Sequence, residues 1–168
     1  MTADGGLVIL PPDFDKYRAA SRQIRQIFYD YTDLVEPLSL DEAFLDVSAA
    51  SACHGSATLI ARDIRRRVRA EVGITLSAGV APNKFLAKVA SDWNKPDGYF
   101  VVLPEEVDAF VAALPVRRIF GVGKATAERL GAMGVSSCAD LRAFSVFELT
   151  QRFGSFVQRL YELCRCID

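Results

Sequence analysis

The apolar positions of this chain change period several times, and each change marks an element. Leu7 to Leu10 is a short strand-like run stopped by Pro11-Pro12. From Phe14 the apolar residues Tyr17, Ile24, Ile27, Phe28 and Tyr31 recur at helical spacing, with Asp13 placed to cap the helix. Residues Glu36 to Val47 read as strand. Ala57 to Val72 reads as a helix with Ile60, Ile64, Val68 and Val72 on one side, arginines on the other and Gly73 as its stop. Ile74 to Val80 is a further strand. Pro82 sits where a helix can begin without losing a hydrogen bond, and Phe85, Leu86, Val89 and Trp93 supply its apolar face. "NKPDG" then reads as a turn, with Lys95 held extended by the proline after it, and Tyr99 to Leu103 as a final strand.

Helix, two strands, helix, strand, helix, strand is the order of an α+β layer of ferredoxin type, with helices on one face of a largely antiparallel sheet. Beyond Pro104 the strand signal ends and short helices punctuated by glycine take over. A domain boundary is expected near residue 103, between units 1–102 and 103–168. The 168 residues, 51% of them hydrophobic, suffice for two small domains or one sizeable core.

Composition narrows the class. No apolar run reaches the roughly 18 residues of a membrane span, and "MTADGGLVIL" lacks a signal peptide's basic and apolar regions, so a cytoplasmic protein without a membrane partner is expected. Cys53, Cys138, Cys164 and Cys166 show neither zinc-site spacing nor disulfide density and read as reduced and structural. His54, the only histidine, reads as a loop residue without a role. A net charge of -1 argues against an unselective nucleic-acid coat. Between Arg62 and Lys95, however, basic residues outnumber acids, which predicts a basic surface on that part of the chain.

Within "PLSLDEAFLDVS" two adjacent carboxylates, Asp41 and Glu42, interrupt a strand-like stretch. Neighbours on a continuous strand point to opposite faces, so the pair can serve one site only if the chain turns there. The expected arrangement is a hairpin with arms Leu38-Leu40 and Phe44-Val47 and the two acids at its tip. Carboxylates held close raise each other's pKa unless a cation neutralises them, and Mg²⁺ suits such oxygen ligands while leaving room for phosphate oxygens. The alternative is an exposed acidic pair on an edge strand, as Asp46 also reads.

"RRIFGVGKATAERLGAMGV" sets a Gly-Val-Gly turn between two short helical patterns, with Ala127, Leu130 and Val135 spaced to pack them together. Gly121 and Gly123 let the backbone turn tightly around Val122, leaving N–H groups at the next helix start for a phosphate, with Lys124 beside them. That chemistry grips a DNA backbone and does not read its sequence. A plain helical hairpin is the other reading. "LTQRFGSFVQRL" around Gly154 is a weaker copy of the pattern, equally explained by core packing of Phe153 and Phe156. Lys84 and Lys88 read as a solvated face, Arg65-Arg66-Arg67 likewise, and Lys95 is the lysine singled out for phosphate contact.

"EPLSLDEAFLDVS", "SAGVAPNKFLAKVASDWNKPDG" and "IFGVGKATAERLGAMGV", in this order, resemble the Y-family translesion DNA polymerases, most nearly the bacterial ones. The resemblance runs from about Leu10 to Asp168. It implies that 1–102 is an incomplete ferredoxin-like palm, with 1–12 a remnant of the fingers/palm junction, and that 103–168 is a small all-α thumb with a helix-hairpin-helix. By the same resemblance Asp41 and Glu42 hold two Mg²⁺ ions and are the catalytic acids. Lys95 contacts the incoming triphosphate, and Gly121, Val122, Gly123 and Lys124 grip the DNA. Primer-template DNA and deoxynucleoside triphosphates are the implied partners, with the sliding clamp added for the full-length protein, and the chain is expected to be a monomer.

Family members also carry a first apolar strand with a further metal-binding aspartate, an aromatic residue that excludes ribonucleotides, a fingers domain and a little finger, and nothing here matches them. "DFD" at Asp13 to Asp15 is no substitute, because Pro12, Phe14, Tyr17 and Ser21 fit the segment after the fingers. The expectation is a polymerase fragment whose catalysis on its own is in question. Phe120 stands where the family's thumb turn often has proline. A non-enzymatic DNA-binding module acting through the thumb is the competing reading; a nucleotide cyclase, whose palm-like layer can also place acids at a hairpin tip, is disfavoured by the helix-hairpin-helix.

Overall fold

The computed structural model describes residues 10–154 and 156–167; most of the strand-like run Leu7 to Leu10 lies outside them. Helix α1, Phe14–Tyr29, starts at Asp13, whose carboxylate accepts from the Lys16 N–H at 3.0 Å. Strands β1, Val35–Pro37, and β2, Ala43–Leu45, pair antiparallel. Helix α2, Ala57–Arg67, is capped by Ser56, runs on through a wider turn at Val68–Val72 and ends at left-handed Gly73. Strand β3, Ala78–Val80, helix α3, Lys84–Ser91, and strand β4, Tyr99–Val101, complete the mixed part. The rest is helical: α4, Val107–Ala113; α5, Lys124–Gly131; α6, Cys138–Arg142; α7, Val146–Phe153; and α8, Phe156–Leu163. No helix among the described residues is long and apolar enough to cross a membrane.

The mixed α+β class and the helical second half are as expected, but the strands are shorter and their pairing differs. β3 and β4 run parallel, so the described residues hold one antiparallel and one parallel pair, and no single largely antiparallel sheet. The β3-α3-β4 crossover explains this, since a helix between two strands returns the chain in the same direction. Ile74 to Ser77 does not join the strand; Ser77 instead lends its hydroxyl to the Gly98 N–H. The arms of the acidic hairpin also shift. Leu38 to Leu40 belong to the loop, because Pro37 pairs with Ala43 and the chain closes where the Leu38 and Ser39 N–H groups both donate to the Glu42 carbonyl. No glycine or asparagine is present to make the two-residue turn a tighter hairpin requires.

Two apolar cores form. Ile27, Phe28, Ile60, Ile64 and Val68 join α1 to α2. The larger core joins Phe85, Leu86 and Val89 of α3 to Val111, Leu114, Val116, Ile119, Leu130, Leu149 and Leu160 of the helical half. Three buried side chains, at up to about 1.5–3 kcal/mol each, outweigh the fraction of a kcal/mol that an exposed ion pair such as Lys84–Glu36 gives. Packing against the helical half, more than charge, therefore seats α3. Trp93, Phe100 and Phe110 reinforce the junction with ring centroids 5.1–5.8 Å apart, and the Arg118 guanidinium lies 4.8 Å from the Trp93 ring.

Candidate active site and thumb turn

Helix α3 has a polar face as well as an apolar one, and that face meets the acidic hairpin. The helix starts at Lys84, two residues after Pro82, and Asn83 caps it: its side chain accepts from the Leu86 N–H at 2.9 Å. One turn apart on the outer face, Lys84 pairs with Glu36 on β1 and Lys88 with Glu42 at the hairpin tip. Lys88 is only 16% exposed, so it is not the solvated residue its spacing suggested. On its other side α3 lies close on β3, which Gly79 permits, since a Cβ there would lie 2.0 Å from the Ala87 carbonyl oxygen of α3.

Asp41 stands beside this pair, exposed, with its carboxylate accepting from the Ser39 hydroxyl at 2.6 Å. That hydrogen bond, helped by the charges of Lys88 and Lys95, holds its pKa below the usual carboxylate value. Lys95 is pushed the other way, chiefly by its ion pair with Asp92 and in part by Glu42 and Asp41. The two carboxylates and Lys95, far apart in sequence, thus lie within one another's field. Asp46 is exposed and bonded to the Ser48 N–H, as a solvated residue should be.

The turn bearing Lys95 is more elaborate than an extended dipeptide. The Lys95-Pro96 peptide is cis, Asp97 is left-handed at φ 48, and Asn94 donates to the Tyr99 carbonyl at 3.0 Å. Gly98 is required, because a Cβ would meet the Asn94 carbonyl oxygen at 1.9 Å.

The glycine turn of the helical half forms as its spacing predicts. A short helical turn at Val116–Arg118 leads to Gly121 at φ 91, and Gly123 begins α5 with no side chain over its first N–H groups. Val122 packs on the core, and Lys124 is 89% exposed with Glu128 3.9 Å away. Leu130 and Val135 are buried beneath the turn. Phe120, exposed at its rim, lies 5.9 Å from the Lys88 ammonium and so reaches the acidic site. The second glycine pattern also separates two helices, α7 and α8, with Gly154 at φ 75.

The basic surface expected between Arg62 and Lys95 is largely neutralised. Arg65 and Arg69 pair with Asp97, Arg66 with Asp63, Arg67 with Asp30 and Glu71, and the three lysines with Glu36, Glu42 and Asp92. Partners distant in sequence carried no signal that spacing could have revealed. Cys138 and Cys164 are reduced and fully buried, and together with Arg142, which donates to the Cys164 carbonyl, they join α6 to the end of α8.

Comparison with known proteins fits this geometry. The impB/mucB/samB family model matches residues 2–92, and a model described as the thumb domain of DNA polymerase-iota matches residues 117–168. DNA polymerase IV of Ralstonia nicotianae is 65% identical over 96% of this chain and 45% of its own length. For DNA polymerase IV of Pseudomonas aeruginosa the figures are 64%, 96% and 46%. The chain thus spans about half the length of the curated relatives it matches. Among solved structures, DinB from Sulfolobus solfataricus superimposes with a TM-score of 0.87 at 31% identity, covering 95% of this chain and 47% of that one. An insertion ternary complex of Dbh DNA polymerase gives 0.87 and 31%, covering 96% and 47%. The chain belongs to the impB/mucB/samB family, the Y-family of DNA polymerases.

Proposed function

We propose that this chain carries the acidic hairpin and the DNA-gripping thumb of an error-prone, DNA-directed DNA polymerase that copies damaged templates, acting in the cytoplasm as a monomer. Residues 1–102 are the palm portion and 103–168 the thumb. The observation that carries this reading is the acidic hairpin, whose Glu42 pairs with Lys88 of a helix that buries its other face in the core of the helical half.

Asp41 and Glu42 are the catalytic acids. Their oxygen donors suit Mg²⁺: Asp41 is exposed and kept ionised, and Glu42 is half-buried with its charge balanced by Lys88. Bound there, the metal supplies a lowered pKa for a primer 3′-hydroxyl and charge neutralisation at phosphate oxygens. Among the described residues no cluster of three metal-ligating side chains occurs, so the pair supplies part of a ligand set. Lys95 supplies positive charge to an incoming triphosphate. Gly121, Val122 and Gly123 expose the first N–H groups of α5 to a phosphate of the primer-template, and Lys124 adds its charge. A sliding clamp is a further proposed partner.

The test is titration of the chain with dATP in Mg²⁺, beside binding of a primer-template duplex and primer extension. Metal-dependent nucleotide binding that is lost in Asp41→Ala, with duplex binding kept and weakened separately by Lys124→Ala, is the expected result. Duplex binding without any metal-dependent nucleotide binding would overturn it in favour of a DNA-binding module that uses the thumb alone.

A further inference from the structure

The turn that carries Lys95 is met from outside by two arginines: Arg69 reaches Asp97 Oδ2 at 3.2 Å from an exposed position, and Arg65 of α2 grips the turn from a largely buried one. Arg65 is 17% exposed, whereas its neighbours Arg66 and Arg69 are 69% and 68% exposed. Its Nε donates to the Leu76 carbonyl at 2.9 Å, and its Nη2 donates to the Asp97 carbonyl and, at 3.0 Å, to Asp97 Oδ1. Its guanidinium also lies 5.5 Å from the centre of the Tyr99 ring. One planar group therefore ties α2 to the approach to β3, to the turn and to the first residue of β4.

Such a tie has a purpose in the backbone it grips. Asp97 sits in the left-handed region, which a non-glycine residue keeps only when its surroundings hold it there. Lys95, two residues earlier, is half-exposed, and its ion-pair partner among the described residues is Asp92 at the end of α3. A lysine is a point charge on a flexible stem, so the direction it covers depends on the backbone that bears it. Nothing about the spacing of Arg65-Arg66-Arg67 sets the first arginine apart; only the packing does.

We propose that Arg65 is a positioning residue, which through Asp97 fixes the 94–98 turn and with it the direction from which Lys95 meets a nucleoside triphosphate. This rests on the reading of Lys95 as a triphosphate contact. Lysine cannot replace the arginine, because a single ammonium does not span two carbonyls and a carboxylate in one plane.

Arg65→Gln, Arg65→Lys and, as control, Arg66→Gln, whose arginine pairs with Asp63 on its own helix, are compared in the 168-residue chain by hydrogen–deuterium exchange and by titration with dATP in Mg²⁺, each also in a Lys95→Ala background. Exchange over residues 93–99 rises about tenfold or more in both Arg65 variants, stays as it was in Arg66→Gln, and is unchanged in the thumb. Affinity for dATP falls roughly five- to tenfold in both Arg65 variants, and this loss disappears once Lys95 is alanine, as expected of coupled residues. Unchanged exchange over 93–99 in either folded Arg65 variant overturns the anchoring. A loss of affinity that persists in full without Lys95 overturns the positioning role. Affinity indifferent to Lys95→Ala, with exchange over 93–99 still raised, overturns instead the triphosphate reading and the substrate role built on it.

Discussion

The short hydrogen bond from Ser39 to Asp41 sets the state of the acidic tip. A carboxylate that accepts a hydroxyl in its charged form gives up its proton less reluctantly, so Ser39→Ala will raise the Asp41 pKa toward the ordinary carboxylate value; a ¹³C titration of the Asp41 carboxyl checks the direction. Asp140 shows the same chemistry in a structural role. Its Oδ2 accepts from the N–H groups and hydroxyls of Ser136 and Ser137, which brings its pKa down to about 2. Because the folded value lies below the unfolded one, the stability it lends is fully present above about pH 4 and is lost as pH falls toward 2. Asp140→Ala will therefore be less stable than the parent at pH 5 in urea denaturation, and the gap between them will close between about pH 4 and pH 2. A result in which the gap stays constant with pH would dismiss the capping carboxylate as its cause. At this scale the motif "SLDEAF" made the acidic pair legible before any coordinates. The partner of Glu42 was not legible, because Lys88 lies 46 residues away and its spacing fits an exposed helix face equally well.

Helix α3 shows what periodicity can and cannot say about an element. Its apolar positions Phe85, Leu86 and Val89 were readable from spacing, and all are buried. What seats it on the strand was not readable, since a lone glycine in "SAGVAP" has several explanations. Gly79→Ala will force its new methyl against the Ala87 carbonyl and the Ser91 N–H, a backbone clash that no side-chain rotation relieves. A cost of about 3 kcal/mol or more is expected from overpacking of this kind, and urea denaturation checks it. Gly123→Ala, with nothing within 4 Å of the added methyl, is the matched control. The strands are shorter than expected for a related reason: the β-branched residues Ile74, Thr75 and Val80 raise strand signal over Ile74 to Val80, whereas hydrogen-bonded pairing covers only Ala78–Val80.

Across the whole molecule the cores do not follow the change in sequence texture at residue 103. The α1/α2 core stands apart, and α3 shares its core with the thumb helices. Native-state hydrogen exchange will accordingly show α3 amides opening with α5 and α7, and α1 with α2 in a separate unit. Protection of α3 that tracks α1 and α2 would contradict that grouping. The helical half and its glycine turn were legible because glycine punctuation and helical spacing are local signals. The grouping of α3 was hidden, since which core an apolar face enters is decided by long-range packing.

The two-faced helix α3 also sets a rule for recombination within the family. A hybrid spliced at residue 103 would join a relative's thumb to this chain's Phe85, Leu86 and Val89, and so divide a single interior between two lineages. The interchangeable piece begins before α3 and carries Lys84 and Lys88 with it, so exchanging thumbs also exchanges the lysines that face the acidic hairpin.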